Sequence, residues 1–167
     1  NFTVTHRPFS HNNMLTVQLF TLENFINGGP VHDGFGIVFA EGNDNAITPA
    51  DAIKPMNFNE NIGVFNDGQY LSLERRAMPQ AAEVYQMYST GYKHEDYTFK
   101  LRVEGLEDSF LFLDDRYTGT VTLLDVGENI YDFNVNKNDP QSTANDRFVI
   151  RSEKRLDIND NNLLTNI

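Results

Sequence analysis

Cysteine is absent from the 167 residues, which excludes disulfides, cysteine zinc sites and thiol catalysis. The absence does not assign a compartment, because a chain of this length buries a real core without staples. Tryptophan is absent too, and 13 Phe with 7 Tyr carry the large apolar volume. Positive charge is scarce: 13 Lys and Arg stand against 24 Asp and Glu, a formal net charge of −11. Phosphates repel such a chain, which argues against nucleic acid and anionic membrane surfaces as partners. No apolar run approaches the ~20 residues of a membrane-spanning helix, so no membrane insertion is expected. A basic segment followed by an apolar one, as in a leader, is also missing. The first residue is Asn1 rather than Met, which reads as a processed form or a piece of something longer.

Catalytic signatures are missing as well. The histidines are His6, His11, His32 and His94, and none forms the His-Glu-x-x-His spacing of a zinc helix. No Gly-x-Ser-x-Gly elbow and no phosphate-binding glycine loop occurs. The acid pairs Glu107/Asp108 and Asp114/Asp115 are adjacent, and adjacent side chains on a strand point to opposite faces. They read as turn and edge acids that block edge-to-edge pairing. No enzymatic activity is expected.

What is present is β patterning. Residues 97–103, 110–115, 118–124, 131–135 and 147–151 are short runs dense in aromatic and β-branched residues, separated by Gly, Asp and Asn. Recurrence at roughly 8–12 residues predicts an antiparallel, jelly-roll-like β-sandwich of about eight or nine strands. Residues 14–22 alternate, with Leu15, Val17 and Leu19 inward and Phe20 outward against a second contact. Residues 34–40 form a continuous apolar run that predicts a central strand whose glycines permit close approach. Residues 69–75 and 84–88 are further strands. Asp67-Gly68, Gly105 and Gly119 stand where turns are wanted.

Three segments follow: a polar lead at 1–13, a β-sandwich module at 14–153, and a linker rich in Asn and Asp at 154–167. Residues 41–66 form the longest irregular region. Thr48-Pro49 is placed to cap one helical turn. Ile53, Met56, Phe58 and Val64 predict that this region packs down in an ordered form.

The same region holds the candidate metal ligands. Asn43, Asp44, Asn45 and Asp51, with Asp33 before the preceding strand, offer oxygens of the kind Ca²⁺ takes about 6–8 at a time. Asn and Asp also tolerate turns and cap helices without binding anything. Asp157, Asn159 and Asn161 match the start of a helix–loop–helix calcium loop, but its glycine is replaced by Asn162, so a solvated linker is the better reading. Tyr85, Tyr88, Tyr92 and Tyr117 are candidate glycan contacts, since aromatic rings stack on sugars and neighbouring Asn or Asp accept hydroxyl protons. The plainer alternative is a core tyrosine with its hydroxyl at the rim.

Ordered motifs run through the chain: Asp33-Gly34…Val38-Phe39, Asp51-Ala52…Lys54, Asn59-Glu60-Asn61 and Leu71-Ser72-Leu73-Glu74-Arg75-Arg76. They continue with Tyr97-Thr98-Phe99, Leu111…Leu113-Asp114-Asp115, Tyr131-Asp132-Phe133 and Asn145-Asp146-Arg147-Phe148-Val149-Ile150. In this order the chain resembles a module of secreted and cell-surface Bacteroidota proteins of the flavobacterial type. That module precedes the C-terminal sorting domain of the type IX secretion system. The resemblance implies a β-sandwich at the outer-membrane cell surface or outside the cell, and residues 159–167 as the run into a sorting domain. It assigns no ligand, because such modules accompany adhesins, proteases and polysaccharide enzymes alike. Arg147 is expected to ion-pair or cap a turn, without a catalytic role.

The expectation is therefore a non-catalytic adhesion or carbohydrate-binding module, with structural Ca²⁺ in the 41–66 region. Its partner would be a surface or extracellular polysaccharide. The alternative is a stalk or assembly module that contacts neighbouring protein domains and has no small ligand.

Overall fold

The computed structural model describes residues 13–156. The readings made on His6 and His11, on Asp157, Asn159 and Asn161, and on most of the lead and linker lie outside the described residues. The elements are β1 (Asn13–Thr21), α1 (Leu22–Asn27), β2 (Asp33–Phe39), β3 (Ala52–Ile53), β4 (Asn61–Asn66), β5 (Gln69–Arg76), β6 (Glu83–Thr90), β7 (Asp96–Glu104), β8 (Ser109–Asp115), β9 (Thr120–Leu124), β10 (Gly127–Asn134) and β11 (Phe148–Lys154). The described residues are all-β apart from one short helix. Two of the eleven strands, β3 and β4, fall inside the region read as irregular.

Sequence alternation becomes burial directly in β1. Leu15, Val17 and Leu19 are fully buried, and outward Phe20 meets Phe25 edge-on at 5.6 Å. Helix α1 was not legible, since six residues carry no helical period. Its ends explain it: the Thr21 hydroxyl accepts from the Asn24 N–H, and Gly28 closes it in the left-handed conformation at φ 67°.

Ten strands form one path, β10-β7-β1-β2-β5-β4-β6-β11-β8-β9, with β3 attached to β5. Every pairing is antiparallel except β2 with β5, which is parallel, a departure from the all-antiparallel expectation. The first half of β6 pairs with β11 and its second half with β4. In β5 the buried residues Leu71 and Glu74 are three apart rather than two, so the pleat changes phase near Ser72. Residues Glu74 and Arg76 are thereby turned toward the interior.

The path curls almost into a barrel. Its two end strands, β9 and β10, are joined through Asp125-Val126 yet do not pair with each other. Asn129 holds that corner, accepting from the Asp125 N–H at 2.9 Å and donating to the Asp125 carbonyl at 2.8 Å. Curling brings β10 over β11, far away along the path. Phe133 packs on Phe99 at 4.6 Å and on Phe148 at 4.8 Å, and Phe99 meets Phe148 at 4.9 Å. Each such buried ring contributes about 1.5–3 kcal/mol.

The 41–66 region packs down only in part. Val64 is 1% exposed, but Ile53, Met56 and Phe58 are 67%, 49% and 105% exposed, against expectation. Thr48 caps a turn rather than a helix: its hydroxyl accepts from the Ala50 N–H, and its own N–H donates to Asp51 at 2.7 Å. The β4–β5 hairpin turns on Asp67 and Gly68 at φ 44° and 75°, the two positive values a two-residue type I′ turn needs. At the opposite end of the sequence order, Asn13 accepts from the Leu106 N–H at 2.9 Å. The Arg155 N–H donates to the Asp108 carbonyl at 3.0 Å.

Candidate functional site

The β4–β5 hairpin places Phe65 directly opposite Tyr70. Since Val64 and Leu71 point into the core, period-two alternation turns Phe65 and Tyr70 outward. On β6, Tyr85 and Met87 are buried, so Tyr88 also faces out. The three rings form a strip: Phe65 lies 5.3 Å from Tyr70, and Tyr70 lies 4.2 Å from Tyr88 at an interplanar angle of 41°. Phe65 is 38% exposed, and both tyrosines are half-buried.

A cavity of about 160 Å³ opens on this strip, lined by Phe65, Tyr70, Gln86, Met87, Tyr88, Asn145 and Asp146. Gln86 is pinned, its amide donating to the Met87 and Phe148 carbonyls at 2.8 and 3.1 Å. The Asn145 carbonyl accepts from the Ser89 N–H at 3.0 Å, which fixes the loop while its exposed amide side chain stays at the rim. Aromatic faces beside an amide and a carboxylate suit a ring-shaped, hydroxylated ligand: the faces take the C–H surface and the polar edge takes the hydroxyls.

A larger cavity, about 450 Å³, lies between α1 and residues 94–96. Its mouth carries Glu23, Glu95 and Asp96, and it lacks a stacking platform.

The four candidate tyrosines separate. Tyr88 belongs to the strip. Tyr85 is 1% exposed, with Arg76 4.9 Å above its ring and its hydroxyl donating to Glu83 at 2.9 Å. Tyr92 packs on Tyr97 at 5.0 Å, and burial pushes its hydroxyl up to about 12. Tyr117 is half-buried beneath the Arg147 guanidinium at 4.8 Å and donates to Asp139 at 3.0 Å. Phe65, Tyr70, Asn145 and Asp146 were missed. The signal for the first two was the Asp67-Gly68 turn between them.

Four of the five candidate metal ligands already accept hydrogen bonds from the protein. Asp33 accepts from the Lys54 ammonium at 2.6 Å and from the Ile62 N–H at 2.7 Å. Asp51 accepts from the Thr48 and Arg75 N–H groups at 2.7 and 2.6 Å. Asp44 accepts from Ala46 at 2.9 Å and the Asn45 side chain from Ala77 at 3.0 Å. The Asn43 amide nitrogen is buried without a partner among the described residues. Among those residues no group of three or more His, Asp or Glu is arranged to hold a metal.

Beside the strip sits a buried ion pair. Arg147 is 2% exposed and Asp115 1%. Burial pushes the Asp115 carboxyl up, but the Arg147 hydrogen bonds and charge outweigh it, and the net shift is downward. Glu74, also buried, is held above the ordinary glutamate range, mainly by burial, despite Arg76 and Asn66 on its Oε1 at 3.1 and 2.6 Å.

The fold and strip define an all-β protein with a surface aromatic platform. No protein-family model, no curated protein and no solved structure matches this chain.

Proposed function

We propose that this chain is a non-catalytic carbohydrate-binding or adhesion module of a secreted or cell-surface protein. It is jelly-roll-like in architecture and of the kind that accompanies type IX secretion. The Phe65–Tyr70–Tyr88 strip carries the reading, with Asn145 and Asp146 as its polar edge. Three neighbouring rings half-open to water cost hydrophobic free energy in isolation, and a sugar face relieves that cost. Binding residues on a rigid sheet also need little ordering when the ligand arrives.

The test is glycan-array binding with wild-type protein and with Tyr88→Ala and Tyr70→Ala variants. Specific binding to at least one polysaccharide is expected, weakened about tenfold or more by either variant, as losing one stacked ring costs about 0.5–1.5 kcal/mol beyond lost area. Binding unaffected by both variants would move the site elsewhere. No binding to any glycan would sink the reading.

A further inference from the structure

A third cavity, about 250 Å³, adjoins the one on the aromatic strip. It is lined by Arg116, Tyr117, Gln141, Ala144, Asp146 and Arg147. Asp146 lines both cavities, so they meet at this residue. The aromatic strip lines one cavity and Tyr117 the other.

We infer that the two cavities are consecutive subsites for one extended, uncharged glycan chain that passes over Asp146. The inference rests on the carbohydrate reading above and adds the class and length of ligand. Size is the first argument. Each cavity falls short of the roughly 300 Å³ at which small-molecule sites begin, and only the joined groove reaches that range.

Rigidity is the second argument. The segment carrying Asp146 is anchored on both sides: the Asn145 carbonyl accepts from the Ser89 N–H at 3.0 Å, and the Arg147 carbonyl from the Arg116 N–H at 2.9 Å. The Arg116 guanidinium also donates to the Asp146 carbonyl at 3.1 Å. The groove is therefore set before any ligand arrives. The exposed Gln141 and Asn145 amides make no side-chain hydrogen bond to another described residue and stand one in each cavity, facing ligand hydroxyls.

Charge is the third argument. Arg116 lies 3.5 Å from the Asp146 carboxylate, so the groove's exposed cation already has an anion beside it. Arg147 is buried and engaged by Asp115 and by the Asn134 and Ser142 carbonyls. With a chain charge of −11, a uronate polymer meets repulsion without compensation.

The experiment is a length series, dimer to octamer, of cello-, xylo-, manno- and laminari-oligosaccharides, with oligoalginate as the charged comparison. Affinities are measured by calorimetry on the full chain and on Tyr88→Ala and Gln141→Ala variants. Affinity for one neutral series is expected to rise at least tenfold from dimer to about pentamer and then level off. Gln141→Ala is expected to erase that rise, and Tyr88→Ala to weaken every length. Equal affinity for dimer and octamer would overturn the two-subsite inference and leave the carbohydrate reading standing. Preference for oligoalginate would overturn the uncharged assignment. Binding to no series would remove the carbohydrate reading itself.

Discussion

Arg147 and Asp115 form a two-pronged pair inside the barrel: Nε donates to Oδ1 and Nη2 to Oδ2, both at 2.8 Å. The remaining nitrogen, Nη1, donates to the Asn134 and Ser142 carbonyls at 2.8 and 3.0 Å. Phe148 lies 4.8 Å below the guanidinium. One cation thus ties β8, the end of β10 and the start of β11 together at the open seam. Removing one partner leaves an uncompensated buried charge. Arg147→Met or Asp115→Leu alone is expected to cost about 3–5 kcal/mol, and the double variant less than the sum. Urea unfolding of the three variants measures this, and additive losses would show that the pair does not act as a unit.

The pair also sets an acid limit. The folded-state carboxyl of Asp115 titrates below its unfolded value of about 3.9. Its stabilisation is complete above that value and is lost as pH falls through the lowered one. The stability gap between wild type and Asp115→Asn is therefore expected to narrow below about pH 4. A gap independent of pH would refute the lowered carboxyl.

Glu74 runs the other way. Its folded-state carboxyl titrates above the ordinary glutamate value, so charging it costs stability as pH rises past the unfolded value. Relative to wild type, Glu74→Gln should gain stability between pH 4 and pH 8, read as the difference in melting temperature at the two ends. A shift in wild type's favour would contradict the buried, disfavoured carboxylate.

Gly91 and Gly119 share a left-handed backbone, at φ 76° and 72°, but differ in space. A Cβ on Gly91 would stand 2.2 Å from the Asn59 carbonyl oxygen, while one on Gly119 meets nothing within 4 Å. Gly119→Ala should cost about 1–2 kcal/mol for the backbone alone. Gly91→Ala should cost several kcal/mol more, because the β6–β7 turn must lift off the Asn59–Glu60 segment. Equal melting temperatures for the two variants would mean that this contact is not made in solution.

Strand positions were legible wherever alternation was clean, as in Leu15, Val17 and Leu19. β4 was hidden, because Asn61 and Asn66 bracket it and Gly63 interrupts it, so six residues looked like more of the Asn-rich loop. Losing β4 meant losing Phe65, and with it the cross-strand partner that makes Tyr70 part of a platform. Asn145 and Asp146 carry no local signal for a site. They reach the aromatic rings only because β11 pairs with β6, a contact between residues some sixty positions apart. Tyr85 and Tyr88 illustrate the converse: aromatic residues near loops look alike in sequence, and only the phase of β6 decides that Tyr85 faces in and Tyr88 out.

Calcium offers a direct check on the 43–51 loop. A cation bound to the folded state adds stability as RT ln(1 + [L]/Kd). Since Asp33 and Asp51 already satisfy protein donors, addition of calcium after EDTA treatment is expected to leave the melting temperature unchanged. A rise that saturates with calcium and disappears in Asp51→Asn would establish a cation site there.

The anchoring of Asn13 and Arg155 on one turn, at Leu106 and Asp108, has a mechanical meaning. Any chain flanking the described residues on either side departs from the same pole. Pulling residues 13 and 155 apart would load these two hydrogen bonds on the Leu106–Asp108 turn. The aromatic strip, on a flank of the barrel, has no part in that turn.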